Sequence, residues 1–87
     1  MFYQRNDNLD FISAGNTVLA AFDPGTGDTH FFDETGVTIL DILSTPHTIE
    51  GLVDRLCKIY FTEPATIITD VEEFLSEATS KRIICVL

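Results

Sequence analysis

Few residues in this sequence are able to do chemistry, and they are scattered. Two histidines, His30 and His47, and two cysteines, Cys57 and Cys85, are the candidate bases, nucleophiles and metal ligands. A catalytic histidine needs an oriented partner and a nucleophile within reach. A metal site needs its ligands at short, regular spacings. The sequence supplies neither pattern. Cys57 follows Leu56 near the far end of a helix-like stretch, away from the positive terminus that would lower its pKa. Cys85 sits between Ile84 and Val86, and both thiols read as small core hydrophobes. The segment Asp23-Pro24-Gly25-Thr26-Gly27-Asp28 carries hard oxygen ligands, but the acid spacing and closing Glu of a calcium loop are missing. No Gly-Lys-Ser/Thr follows it, so it is not a phosphate loop. Its composition is that of a hairpin turn, in which Pro presets φ and Gly supplies φ > 0. These residues lead to no catalytic group, no metal and no cofactor.

Two other features point to binding. Asp70, Glu72, Glu73 and Glu77 lie opposite an apolar helical stripe, as a solvated face or as a face that recognises a partner. Phe31 and Phe32 are adjacent in a strand-like run, so they point to opposite faces. One can enter the core while the other stays exposed. An exposed aromatic near a sheet edge is a docking point for an extended peptide.

The elements that must position these groups fall into two halves. Leu9-Asp10-Phe11-Ile12 reads as a short edge strand, and Ser13-Ala14-Gly15-Asn16 as a turn. Residues 17–22 and 28–32 are strand-like runs joined by the Pro/Gly loop, which predicts a hairpin. Asp33 is placed to cap a first helix carrying Val37, Ile39, Leu40, Ile42 and Leu43, stopped by Pro46. Thr48 is placed to cap a second, with Ile49, Leu52, Val53, Leu56, Ile59 and Tyr60 at helical spacing. A third opens near Pro64 and carries Ile67, Val71, Phe74, Leu75 and Ala78. Residues 83–87 form an apolar tail, read as a strand or a packed extension. The order predicts an α+β fold: a small two- or three-stranded antiparallel sheet followed by a three-helix bundle, in the manner of a winged helix-turn-helix.

Charge and length limit the partners. The 87 residues hold five basic and fourteen acidic side chains, a net charge of −9. Such a chain is expected to form one domain, residues 1–87. Nucleic-acid binding requires cations to neutralise phosphates, and anionic membranes make the same demand. The helix that would read DNA in a winged layout is here the acidic third, so nucleic acid and membrane are both disfavoured. The N-terminus lacks a signal-peptide core, and two cysteines, too few for a disulfide scaffold though a single bridge is possible, suit a reducing cytoplasm.

The run from Thr17 to Asp33, with its Gly27-Asp28-Thr29-His30 element, resembles the front half of PqqD-like peptide chaperones. It is most similar to the subgroup that occurs with a kinase related to HPr kinase. Ile39–Leu43, Thr48–Leu56 and Asp70–Leu75 match the layout of the helices, so the resemblance covers about residues 9–82. The family is similar to the leader-peptide recognition element of ribosomally made, modified peptides. The resemblance implies a winged-helix-like domain without catalysis. It would bind a precursor's leader peptide as an added strand and present it to a modifying enzyme. An HPr-kinase-related protein is a further implied partner. Mapped onto this chain, the docking strand is residues 28–32 and the flanking helix residues 64–80. The contacts are Thr29, Phe31, Ile67, Val71 and Phe74, with Asp70 and Glu77 placed to meet basic leader side chains. An exposed edge of this kind also permits an edge-paired or strand-swapped homodimer in place of a monomer. The alternative reading is a winged-helix regulatory or protein-interaction module. A small enzyme or metal carrier using His30, His47, Cys57 and Cys85 is the third.

Overall fold

Turn chemistry organises the first half of the chain. In the computed structural model, which describes residues 1–15 and 17–87 apart from the side chains of 17–19, β3 (Thr17–Asp23) and β4 (Asp28–Phe31) form the expected hairpin. The Asp23 side chain accepts from the Gly25 amide at 2.9 Å, and the Gly27 amide donates to the Asp23 carbonyl at 2.7 Å. Gly27 takes φ +80°, a conformation costly to any residue with a Cβ. β2 (Asp10–Ala14) pairs antiparallel with the other side of β3, with a bulge between Ile12 and Ser13. The sheet order is therefore β2-β3-β4. Of the expected 13–16 turn, Ser13 and Ala14 instead continue β2 in register with β3; Gly15 turns at φ +63°, and Asn16 lies outside the described residues.

The helices begin where their caps predict. Asp33 accepts from the Gly36 amide at 2.8 Å and opens α1 (Glu34–Ile42). Thr48 accepts from the Gly51 amide at 3.1 Å and opens α2 (Ile49–Tyr60). Each such cap satisfies a backbone donor the helix cannot, worth about 1 kcal/mol. α3 (Pro64–Ser80) starts with Pro at its first position, where the missing N–H costs nothing. α2 ends at Phe61, which adopts the left-handed conformation at φ 52°.

Two features differ from the sequence reading. The tail forms β5 (Ile84–Val86), a strand as one of its two readings has it, but its partner is an unexpected strand, β1 (Tyr3–Arg5), a segment with no strand signal of its own. β1 is held on both sides: Tyr3 exchanges two backbone hydrogen bonds with His47, and the Arg5 amide donates to the Leu43 carbonyl. In addition, the apolar stripe of α2 stops short of its end. Leu52, Val53 and Leu56 are buried, whereas Ile59 and Tyr60 are exposed beside the left-handed Phe61.

The core lies between the sheet and the helices. Ala21, Ile39, Leu40, Leu43, Leu52, Leu56, Val71, Leu75, Ala78, Ile83 and Ile84 are buried in one cluster, with Leu9 closing it from the loop after β1. Fully burying a side chain of the Leu or Ile class contributes roughly 1.5–3 kcal/mol, so this cluster dominates stability.

Candidate functional site

The sheet order leaves β4 with one strand neighbour, and among the described residues its other edge pairs with none. That edge opens into a groove of about 410 Å³ facing the C-terminal half of α3. On the strand side the groove is lined by the consecutive residues Thr29, His30, Phe31, Phe32 and Asp33. A strand face would present alternate residues, so a consecutive run means that the backbone edge itself is the wall. Opposite stand Phe74, Glu77 and Ala78 of α3, its cap residue Lys81, and Ile83 beyond the helix. Phe31 is 82% exposed, whereas Phe32 is half-buried against the core. The adjacent pair therefore divides as strand alternation requires.

A second groove, of about 430 Å³, runs between α1 and α3. It shares Asp33, Phe74 and Glu77 with the first. Phe74 is the partition, and Gly36 makes room for it: a Cβ on Gly36 would stand 3.1 Å from the Phe74 ring. The seven sequence-predicted residues thus divide between adjoining grooves. Thr29 and Phe31 line the first, Ile67, Asp70 and Val71 the second, and Phe74 and Glu77 both. Val71 is 2% exposed, so it serves the core as much as the groove wall.

Sequence reasoning missed His30, Ala78, Lys81 and Ile83 of the first groove and Tyr60 of the second, and it read Glu73 only as part of a possible partner-recognising face. The signal for two of them was present. Phe74, Glu77, Ala78 and Lys81 follow the i, i+3, i+4, i+7 spacing of one helix face. Ile83 had no such signal, because it depends on how the chain leaves α3. There Arg82 takes φ 60°, and no glycine is used.

The electrostatics are mostly anionic. Glu77 accepts from the Lys81 ammonium at 2.8 Å, and that hydrogen bond and charge hold its carboxyl below the usual range. Asp23 is the one buried acid among the described residues and meets the Arg82 guanidinium at 3.1 Å. Burial works to raise the Asp23 carboxyl, but the Gly25 amide and Arg82 outweigh it and lower it from its ordinary value. This pair ties the start of the hairpin turn to Arg82, two residues past the end of α3.

The other chemically capable residues are dispersed. His47 engages Tyr3 through its backbone, and its ring Nδ1 lies 2.9 Å from the Thr45 carbonyl oxygen. Cys57 on α2 and Cys85 on β5 are free and half-buried. Among the described residues no three His, Cys, Asp or Glu side chains converge as a metal cluster. Among the described residues no helix is long and apolar enough to cross a membrane.

The arrangement of sheet, edge and helix has relatives. The chain is similar in structure to TbiB1, solved in complex with the TbiA(β) leader peptide: the TM-score is 0.81 at 22% identity, over 93% of each chain. At that identity the likeness concerns the fold. No curated protein matches the sequence at a significant level. A family model described as coenzyme PQQ synthesis protein D (PqqD) matches residues 19–84. That span takes in the hairpin from the third residue of β3, all three helices and the first residue of β5, and the chain belongs to the PqqD family.

Proposed function

We propose that this chain is a non-catalytic peptide chaperone. Residues 1–87 act as a single peptide-binding domain that receives the leader segment of a ribosomally made precursor peptide as a strand added to β4. The domain then presents the peptide to a modifying enzyme. The observation that carries this reading is the one-sided pairing of β4, with its outer edge lining a groove closed by α3. TbiB1, which shares the fold, is described with a leader peptide bound.

The physics of such capture is general. Backbone hydrogen bonds along an added strand give affinity that depends little on sequence, and pockets for alternate side chains give selectivity. Ordering a flexible leader costs free energy, so moderate affinity is expected. Holding the leader raises the effective concentration of the attached core peptide at a bound enzyme, with no chemistry from the carrier. Within this reading, Thr29, Phe31, Phe74 and Glu77 contact the strand, and Ile67, Asp70 and Val71 extend the surface. The same edge can pair with a second copy of the chain, so dimerisation and peptide capture compete. A cytoplasmic setting suits two free thiols, and an HPr-kinase-related protein is a further partner in this reading.

The test is affinity capture from host extract on immobilised wild-type and Phe31→Asp protein, with mass spectrometry of everything retained, including short peptides. The expected result is a short precursor peptide held by the wild type and lost from the folded variant. Retention of DNA or a signalling protein alone would overturn the reading.

A further inference from the structure

A strand added to β4 needs only the first groove, yet the α1–α3 groove is as large and joins it at Asp33, Phe74 and Glu77. Its floor is carbon: Ile39, Leu56 and Val71 are buried, and Ile67 is half-buried at its side. Its rim is anionic, with Asp33, Asp70 and Glu73. No Lys, Arg or His lines it. Glu77 is engaged by Lys81, but Asp70 and Glu73 have no salt-bridge partner among the described residues. Tyr60 forms part of the wall, its hydroxyl 2.9 Å from Thr38 Oγ1.

An apolar floor beneath unpaired carboxylates complements one side-chain chemistry, a long aliphatic stem with a cationic head. Lys and Arg bury their methylenes along apolar surface while the charge stays at the wet rim, and an aromatic wall adds to the attraction. An acidic side chain would meet like charge, and a short polar one would leave the floor empty. We propose that the α1–α3 groove is a selectivity pocket for a Lys or Arg side chain of the peptide that β4 captures, at the Asp33 end of the paired segment. This rests on the peptide-capture reading and adds to it the chemistry of the ligand.

The probe is a randomised peptide library selected on immobilised wild-type protein, on Asp70→Asn/Glu73→Gln and on Asp10→Asn/Glu50→Gln. All four residues are exposed, so both double variants should fold, which circular dichroism checks. The second variant removes the same charge from outside the groove. The wild type should enrich Lys or Arg at one fixed offset from a run of strand-forming residues. A selected, fluorescein-labelled peptide should bind the groove variant about twofold to fivefold more weakly, as expected for a rim ion pair, and the control variant unchanged.

Cations enriched evenly along the peptide, or affinity lost equally in the control, would reduce the effect to net charge and overturn the pocket. Peptides without a fixed cation that still lose binding with Phe31→Asp would overturn the pocket and leave strand capture standing. A fixed cation that depends on Asp70 and Glu73 in peptides indifferent to Phe31→Asp would overturn the link to β4, and strand capture with it.

Discussion

Replacing Phe31 with threonine separates binding from folding, because the ring is 82% exposed in the absence of a peptide. A phenylalanine side chain offers about 200 Å² of surface, so roughly 160 Å² stays in water in the free protein. A strand laid along β4 would cover about half of that, or ~80 Å². At about 25 cal/mol per Å² the covered area contributes ~2 kcal/mol, which is about thirtyfold in Kd. Folding should barely change: the ring is hydrated in both the folded and the unfolded chain, and threonine keeps the strand preference, so the shift should stay within about 0.5 kcal/mol. Fluorescence anisotropy of a labelled peptide gives the first quantity and urea denaturation the second. An unchanged Kd in a folded variant refutes the assignment of Phe31 to the peptide interface. A large loss of stability refutes the claim that the ring faces water.

The remaining predictions concern the frame that holds the groove. Leu52→Ala, at a fully buried site, should cost about 2–5 kcal/mol in urea denaturation, while Ile59→Ala, on the same helix but exposed, should cost under about 1 kcal/mol. The lowered Asp23 carboxyl contributes stability above the unfolded-state pKa of about 3.9, and that stability is lost as pH falls through the lower folded value. Asp23→Asn should therefore lower the melting temperature at neutral pH, with the gap to the wild type closing below about pH 4. A constant gap across pH would show that the Arg82 contact does not depend on the charge of Asp23. Gly36→Ala gains about 1 kcal/mol of helix propensity against a Phe74 ring that must give way from 3.1 Å. Net stability should change little, while the Phe74 ring resonances shift and peptide affinity falls.

Glu77 lies where the two grooves meet, and its state bears on both. Lys81 holds it as a carboxylate and offsets its charge, so the net anionic character is concentrated nearer the N-terminus of α3, at Asp70 and Glu73. The first groove is thus close to neutral on its α3 side, as suits backbone pairing. The second keeps its charge for a side chain. One helix serves both because its spacing puts Phe74, the partition, between Val71 and Ala78 on the buried side and the acids on the outer side.

Local chemistry alone determined the hairpin, the helix starts and most of the core. Asp23-Pro-Gly-Thr-Gly can hardly be anything but a turn, Asp33 and Thr48 satisfy amides within three residues of themselves, and the 3.6-residue stripes select their own buried faces. The family is also legible there, because the Gly27-Asp28-Thr29-His30 element is local. Tertiary structure decided what depends on distant partners. β1 has no strand signal and becomes a strand because the tail and the His47 loop supply its hydrogen bonds. Ile59 and Tyr60 fit the stripe and yet are exposed at the end of α2, where the chain leaves the helix through the left-handed Phe61 and Tyr60 edges the second groove instead of entering the core. The second groove could not be read as a separate space, although five of the residues that line it were expected as contacts: it exists because Gly36 on one helix admits Phe74 from another, a contact between residues 38 positions apart in sequence. Short-range hydrogen bonding and periodicity are written in neighbouring residues, whereas a groove is the space that two surfaces leave between them.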